Sequence, residues 1–311
     1  MTLPYTLQQL RIIKALSSER NFTKAAERLY ISQPCLSQQL KSLEKRFGIL
    51  LVTRNSNQLD LTEAGKIFLT YSERILALCE ESCRALNDLK KGDRGDLKIG
   101  ASQTVGTYLI PRILKLFIQT YPQIKLKVQI SSTRIMIKNI LNHTIDVAIV
   151  GGKIPQGLKH NLDVVRFVED EFSLIISKSH PFALQGRKII SKKDLYTLNF
   201  ITLNSDSTVQ GHINQTLRKS KIDTTQLNVV LQLNSMEAIK ASVILGLGAA
   251  FVPSSVIEKE LALKTIDIIT IRGLKIKRTI SIISNSNNKK SRAFEFFYRE
   301  LLLLKAESFF E

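Results

Sequence analysis

Pro34, Ser37, Gln38, Lys41 and Lys45 fall along one face of a helical stretch, and side chains such as its Gln and Lys can reach a base edge. Amides both donate and accept, and an ammonium beside them suits the acceptor-rich major groove of DNA. The opposite stripe is apolar: Leu36, Leu40, Leu43 and Phe47 recur at steps of four, three and four, which gathers them on one side of a 3.6-residue helix. Ser32 reads as the N-cap, with Pro34 inside the first turn, where its missing N–H costs little. Just before it, Thr23 reads as the N-cap of a shorter helix to about Tyr30, with Ala25 and Ala26 small enough for a crossing helix and Leu29 as its anchor. Together they spell a helix-turn-helix. An ordinary helical hairpin with a solvated polar face fits the same residues, so the neighbouring segments must decide.

Those neighbours have to hold the second helix in place. Residues 6–17 read as a first helix carrying Leu7, Leu10, Ile13 and Leu16 toward the motif. After Gly48 two short apolar runs flank a polar loop at 55–58, the pattern of a small β-wing; a plain exposed hairpin is the alternative. As a wing it would bring Arg54 to the phosphate backbone and Asn55, Ser56 and Asn57 near the minor groove. From Thr62 a long helical pattern runs through Leu89, with Phe68, Tyr71, Ile75, Leu78, Ser82, Ala85 and Leu89 alternating steps of three and four. At 1.5 Å per residue it extends roughly 40 Å, too long for the small domain before it to cover. A second copy of the chain is the economical partner, with packing on its own C-terminal domain the alternative.

The totals bound the rest. With 44% apolar and 23% charged residues the chain is globular. Its net charge of +18 favours polyanions in general, yet residues 1–65 hold nine Lys or Arg against five Asp or Glu, 9 − 5 = +4. Bulk basicity is therefore poor support for DNA binding. The richness in Lys, Ile and Asn, with no Trp, is what AT-rich coding produces. The start shows neither an apolar signal segment nor an Arg-rich transit segment, and no apolar run approaches a membrane span, so the expectation is a soluble protein without a membrane partner. Cys35, Cys79 and Cys83 cannot pair evenly, which favours a reducing compartment. The four histidines lie far apart in the chain, without ligand spacing. Neither metal nor cofactor is expected, nor a catalytic constellation.

A charged, glycine-bearing segment at 90–96 marks a hinge. Beyond it LKIGA, IKLKVQI and DVAIVGG alternate with helical stretches, a β-α-β-α-β series that predicts a largely parallel sheet. The later runs FSLIIS, NFITLN, NVVLQL, AAFVP, TIDIIT and RTISIIS are too many for one layer, so two α/β lobes joined by crossing strands are expected. Ligands in such folds lie at the carboxyl ends of strands, where helix N-termini point. Ser102, Gln103 and Thr104, then Ser131 to Arg134, then Asn204 to Thr208 occupy such places, with Thr202 on the same NFITLN strand. Helix capping alone would use similar residues. Three such segments in one cleft favour a small polar ligand, with an anion among the candidates.

The chain resembles the LysR-type transcriptional regulators along its whole length. The specific part is AAERL, SQP, LS, LE, the FG turn and LTEAG; LKIG, LIP, FIQTYP, DVAIVGG, HPF and GLGAAFVP follow in order. That resemblance implies a winged helix-turn-helix over residues 1–61, a coiled-coil linker over 62–91 and a two-lobed periplasmic-binding-protein-like effector domain over 92–311. Lobe I would take about 97–165 and 270–311, and lobe II about 166–269. It also implies a homodimer or homotetramer on double-stranded promoter DNA. Carried over by position, Thr23, Ser32, Gln33, Pro34, Ser37, Gln38, Lys41 and Arg54 would touch DNA, and Ser102, Thr104, Thr133, Thr202 and Asn204 would line the effector cleft. Many relatives carry Arg where this chain has Gln38, and an acidic residue where it has Thr53, so their half-site preference does not transfer.

Within that family the chain is similar to regulators of the Rubisco operon, and its composition suggests the plastid-encoded algal version, at work in the stroma; a bacterial cytoplasm is the alternative. The expected effector is a small molecule that the sequence does not name, with sugar phosphates and nicotinamide nucleotides as candidates. Lobe closure on it would shift two tetramer geometries and so the bending of bound DNA, with no bond made or broken. A regulator of another metabolic operon is the near alternative. An α/β enzyme would need a nucleophile, metal cluster or phosphate loop that the sequence does not display.

Overall fold

The computed structural model describes residues 3–55, 58–91, 95–288 and 290–306. Two compact units emerge, the first built on residues 1–92 and the second on most of the remainder.

In the first unit, α1 (Leu7–Glu19) starts from Thr6, whose hydroxyl accepts from the Gln9 N–H while the Gln9 side chain caps the Thr6 N–H in return. Helix α2 (Phe22–Arg28) is capped by Asn21, not by Thr23 as expected: the Asn21 side chain accepts from the Lys24 N–H, and Thr23 is the second helical residue, exposed. Asn21 is extended and reaches the free N–H groups first. Helix α3 (Gln33–Phe47) has Ser32 as N-cap and Pro34 in its first turn, and stops at Gly48, which is left-handed at φ +66°. Lys45 and Arg46 oppose the negative end of its dipole.

Leu36, Leu40 and Leu43 are buried with Ile12, Ile13, Leu16, Ala25 and Ala26 in one core. Two expected core residues are elsewhere. Leu7 is exposed, with Ile12 taking the inner position, and Phe47 leaves the stripe to join Tyr5 and Phe68 in an aromatic cluster. Strands β1 (Val52–Asn55) and β2 (Gln58–Leu61) pair antiparallel, with Arg54 opposite Leu59. The expected tip residues Ser56 and Asn57 lie outside the described residues. Glu44 of α3 accepts from the N–H groups of Leu51 and Val52, at 2.8 and 3.2 Å, and so ties the wing to the motif.

Helix α4 (Glu63–Lys91) begins under Thr62, whose hydroxyl accepts from Gly65 N–H. A Cβ on Gly65 would stand 2.0 Å from the Leu51 carbonyl oxygen, so this helix can meet the wing so closely only through a glycine. The expected seam divides. Phe68 packs on the N-terminal core, whereas Tyr71 and Leu78 are exposed together with Ile67 and Leu86. The side chains of Ala85 and Leu89 lie outside the described residues.

In the second unit β3 (Gly95–Ser102) leads through a π-helical turn at Val105–Leu109 into α5 (Ile110–Thr120), followed by β4 (Ile124–Ser131), α6 (Thr133–Leu141) and β5 (Val147–Gly151). Next come β6 (Leu162–Ser177), α7 (Pro181–Leu184), β7 (Ile189–Ile190), β8 (Asn199–Leu203), α8 (Thr208–Lys219), β9 (Asn228–Leu233) and α9 (Met236–Ile244). The chain closes with β10 (Ala250–Pro253), α10 (Glu258–Ala262), β11 (Ile266–Ile271), β12 (Ile276–Asn285) and α11 (Arg292–Ala306). The main sheet runs β4-β3-β5-β12-β6-β11-β7, with β10 also on β6, and β8 and β9 form a parallel pair.

The largely parallel sheet predicted from the alternation is a mixed one. β3 pairs parallel with β4 and β5, but β12 runs antiparallel to β5 and β6, and β10 and β11 antiparallel to β6. The physical reason is that β6 and β12 carry the chain between lobes in opposite directions. FSLIIS is only the second half of the continuous strand β6, so the expected lobe change at 165/166 falls within a strand, and that at 269/270 within β11. Apolar clusters flank the sheet on both faces, around Phe117 and Phe297 and around Met136 and Ile140 in lobe I, and around Phe200 and Ile213 and around Ile239 and Val243 in lobe II.

Candidate functional site

The polar face of α3 is presented as the stripe predicts. Gln33, Pro34, Gln38, Lys41 and Lys45 are exposed and Ser37 half-buried, because Leu36, Leu40 and Leu43 hold the other side in the core. The Gln33 amide donates to the Ser37 hydroxyl at 3.2 Å, which fixes the first turn. Ser32 is spent on the Cys35 N–H, and Thr23 is exposed in the first turn of α2. Cys35 is itself exposed at the start of α3, a free thiol. Sequence reasoning missed Tyr30, fully open to solvent in the turn and left-handed at φ 55°; no periodic signal marks it.

In the second unit the carboxyl ends of β3, β4, β5, β8 and β9 converge on a cleft of about 450 Å³. Ser102, Thr104, Thr133 and Asn204 line it; Thr202 stands one residue earlier on β8 than Leu203, where the lining begins on that strand. Each hydroxyl has a defined state. Ser102 Oγ accepts from Gly151 N–H at 3.1 Å and keeps its proton to donate, whereas Thr133 Oγ1 donates to the Gly151 carbonyl at 3.0 Å and keeps its lone pairs. Thr104, only 8% exposed, makes no hydrogen bond through its hydroxyl among the described residues.

The electrostatics are uneven. The helices α6, α8 and α9 start at the cleft under Ser132, Ser207 and Ser235, so their N-terminal dipoles face it. No Lys, Arg or His is among the lining residues, while Asp206 and Glu237 are. Burial would raise the Glu237 carboxyl, but hydrogen bonds from Tyr108 and Lys240 outweigh it and hold the group below the usual carboxylate range. Burial and then that same bond push the Tyr108 phenol up.

Tyr108, Asn234, Ser235, Met236 and Glu237 were missed in the sequence. Asn234 and Ser235 come just past the end of NVVLQL as Asn204 closes NFITLN, so the same strand-end rule applied there would have found them. Among the described residues no group of His, Cys, Asp and Glu could hold a metal ion, and no described helix is long and apolar enough to cross a membrane.

Comparison with known proteins agrees with this architecture. Residues 7–66 match the family described as bacterial regulatory helix-turn-helix protein, lysR family, and residues 90–303 the LysR substrate binding domain. A relative from Phaeodactylum tricornutum, named "Probable RuBisCO transcriptional regulator", is 65% identical over 305 residues, 98% of this chain and 99% of its own. The solved full-length CbnR complexed with its target DNA is alike in fold, with a TM-score of 0.70 at 22% identity over 96% of this chain and 99% of that one. The regulatory domain of Synechocystis PCC6803 CcmR in complex with 2-PG aligns at a TM-score of 0.61 and 24% identity over 68% of this chain and 98% of that one. A helix-turn-helix and a two-lobed domain, each matched over its own segment and both spanned by a 65%-identical relative, place the chain in the LysR family, as a DNA-binding transcriptional regulator.

Proposed function

We propose that the chain regulates transcription of the Rubisco genes in a plastid, under control of a small metabolite bound between its lobes. The target and compartment are carried by the full-length likeness to algal proteins of that name. Gln33, Pro34, Ser37, Gln38 and Lys41 read base edges or adjacent phosphates, Ser32 and Thr23 face the backbone at helix N-termini, and Arg54 of the wing neutralises a phosphate. Paired α4 helices carry two such modules in a homodimer, and two dimers form the tetramer. The chain acts by binding, without catalysis.

The ligand is held by Ser102, Thr104, Thr133 and Asn204. The observation that carries this reading is Thr104, a largely buried residue whose hydroxyl has no protein partner among the described residues, inside a cleft that three helix N-termini face. An anion would be held there by dipoles and hydroxyls alone. The 2-PG of the CcmR domain is the first compound to try, with sugar phosphates and nicotinamide nucleotides next.

Footprinting the full chain on the Rubisco promoter, against scrambled competitor at moderate ionic strength and with each compound, tests this. A discrete footprint that changes in length with one compound is expected; equal affinity for promoter and scrambled DNA under all conditions overturns it.

A further inference from the structure

The cleft is bridged at its rim by the Tyr108 side chain. Tyr108 belongs to lobe I, in the π-helical turn after β3, yet its ring packs against the lobe II cluster that contains Ile239 and Val243. Its hydroxyl donates to Glu237 Oε1 in the first turn of α9. Lys240, one turn further and 3% exposed, places its ammonium 4.9 Å from the Tyr108 ring centroid. That ammonium is itself held by Glu237 at 3.1 Å, Glu260 at 2.8 Å and the Val256 carbonyl at 2.9 Å. Ring, ammonium and carboxylate thus form one connected bridge between lobes. The Arg112–Glu258 pair between α5 and α10 is longer, at 3.3 Å, and half or more exposed on both sides, where ion pairs contribute little.

We propose that Tyr108 is the positioning residue of the cleft: its hydroxyl on Glu237 sets the spacing of the two lobes in the ligand-free chain. The inference rests on the cleft being the ligand site, because only then does lobe spacing matter to the response. The bond is suited to be broken and remade. Glu237 is 60% exposed on its side chain, so it can exchange Tyr108 for water or for a ligand hydroxyl.

Amide hydrogen exchange on the full ligand-free chain, wild type against Tyr108→Phe, tests this. The phenylalanine keeps the ring, its packing and the ammonium beside it, and deletes only the oxygen. Residues 104–109 and 235–240 are expected to exchange about tenfold faster together, the shift that one hydrogen bond to a charged group produces. Unchanged rates, or faster exchange on one side of the cleft only, overturn the proposal. Glu237→Gln keeps an acceptor for the hydroxyl and is expected to accelerate exchange less than Tyr108→Phe; a larger effect would mean that the Glu237 charge on Lys240 holds the lobes, and the proposal falls. Titration with 2-PG, read by protection of the same amides, keeps the two readings apart. Absence of protection in both proteins counts against 2-PG as the ligand, while the bridge stands or falls on the ligand-free rates.

Discussion

Arg278 donates from Nε and Nη2 to the same oxygen of Asp170, at 2.9 and 2.7 Å, with both side chains 2% exposed. The pair joins β12 to β6 where the two strands pass between lobes, and Ser255 donates to the other Asp170 oxygen. Gly151 leaves room for it, since a Cβ there would come within 3.1 Å of the guanidinium.

Removing one partner leaves a buried charge uncompensated. Arg278→Met should therefore lower the stability of the effector domain by about 3–5 kcal/mol, and the double change with Asp170→Leu should recover most of it. Urea unfolding measures both, and a single variant within about 1 kcal/mol of wild type would contradict the role given to the pair.

Thr104→Val removes a hydroxyl on the cleft wall that no described protein group satisfies, so stability should hold. Affinity for the cleft ligand should fall about threefold to tenfold, the worth of one hydrogen bond. Calorimetric titration beside a thermal melt separates the two; a destabilised variant would show that the hydroxyl has a structural partner.

Lys41 and Arg54 should fail differently. Lys41→Ala is expected to cost about 1–3 kcal/mol at one base position and relax the preference there. Arg54→Ala should weaken all sequences alike and reduce the slope of log K against log salt by about 0.9. Affinities across a salt series on operator variants check this, and equal losses on specific and random DNA for Lys41→Ala would remove its base-reading role.

Leu78 is exposed on α4 in the same row as Tyr71, a face that the N-terminal core leaves uncovered. Leu78→Asp should give monomers by sedimentation velocity and weaken promoter binding at least tenfold, since two half-sites are no longer linked. An unchanged oligomer would assign this face to something other than a second copy.

His180 caps α7 by accepting the Phe182 N–H on Nδ1, a role open only to the neutral ring, and burial lowers its pKa. A folded-state pKa below the unfolded value of 6.5 means that the unfolded chain takes up the proton first. Stability from this group is therefore full above that value and is lost as pH falls through the lowered folded-state pKa. His180→Asn, which keeps a capping acceptor, should flatten the decline in unfolding midpoint between pH 7 and the lowered pKa; an identical pH profile would show that other groups set it.

What could be read from the residues alone was whatever a short window encodes. The Leu36–Leu40–Leu43 stripe, the Ser32 cap, the Gly48 stop and the hydroxyls after β3, β4 and β8 each depend on neighbours within a turn or a strand end, so local chemistry determines them. Tertiary structure decided the rest. The choice of Asn21 over Thr23 as cap turned on a backbone angle, and the start of the cleft lining at Leu203, one residue past Thr202, on which end of β8 reaches it. Tyr108 meets Glu237, and Asp170 meets Arg278, across more than a hundred residues of chain. Such pairs leave no periodic trace, because strand order and lobe packing bring them together, and many sequences with the same local pattern would satisfy the strands while leaving those partners apart.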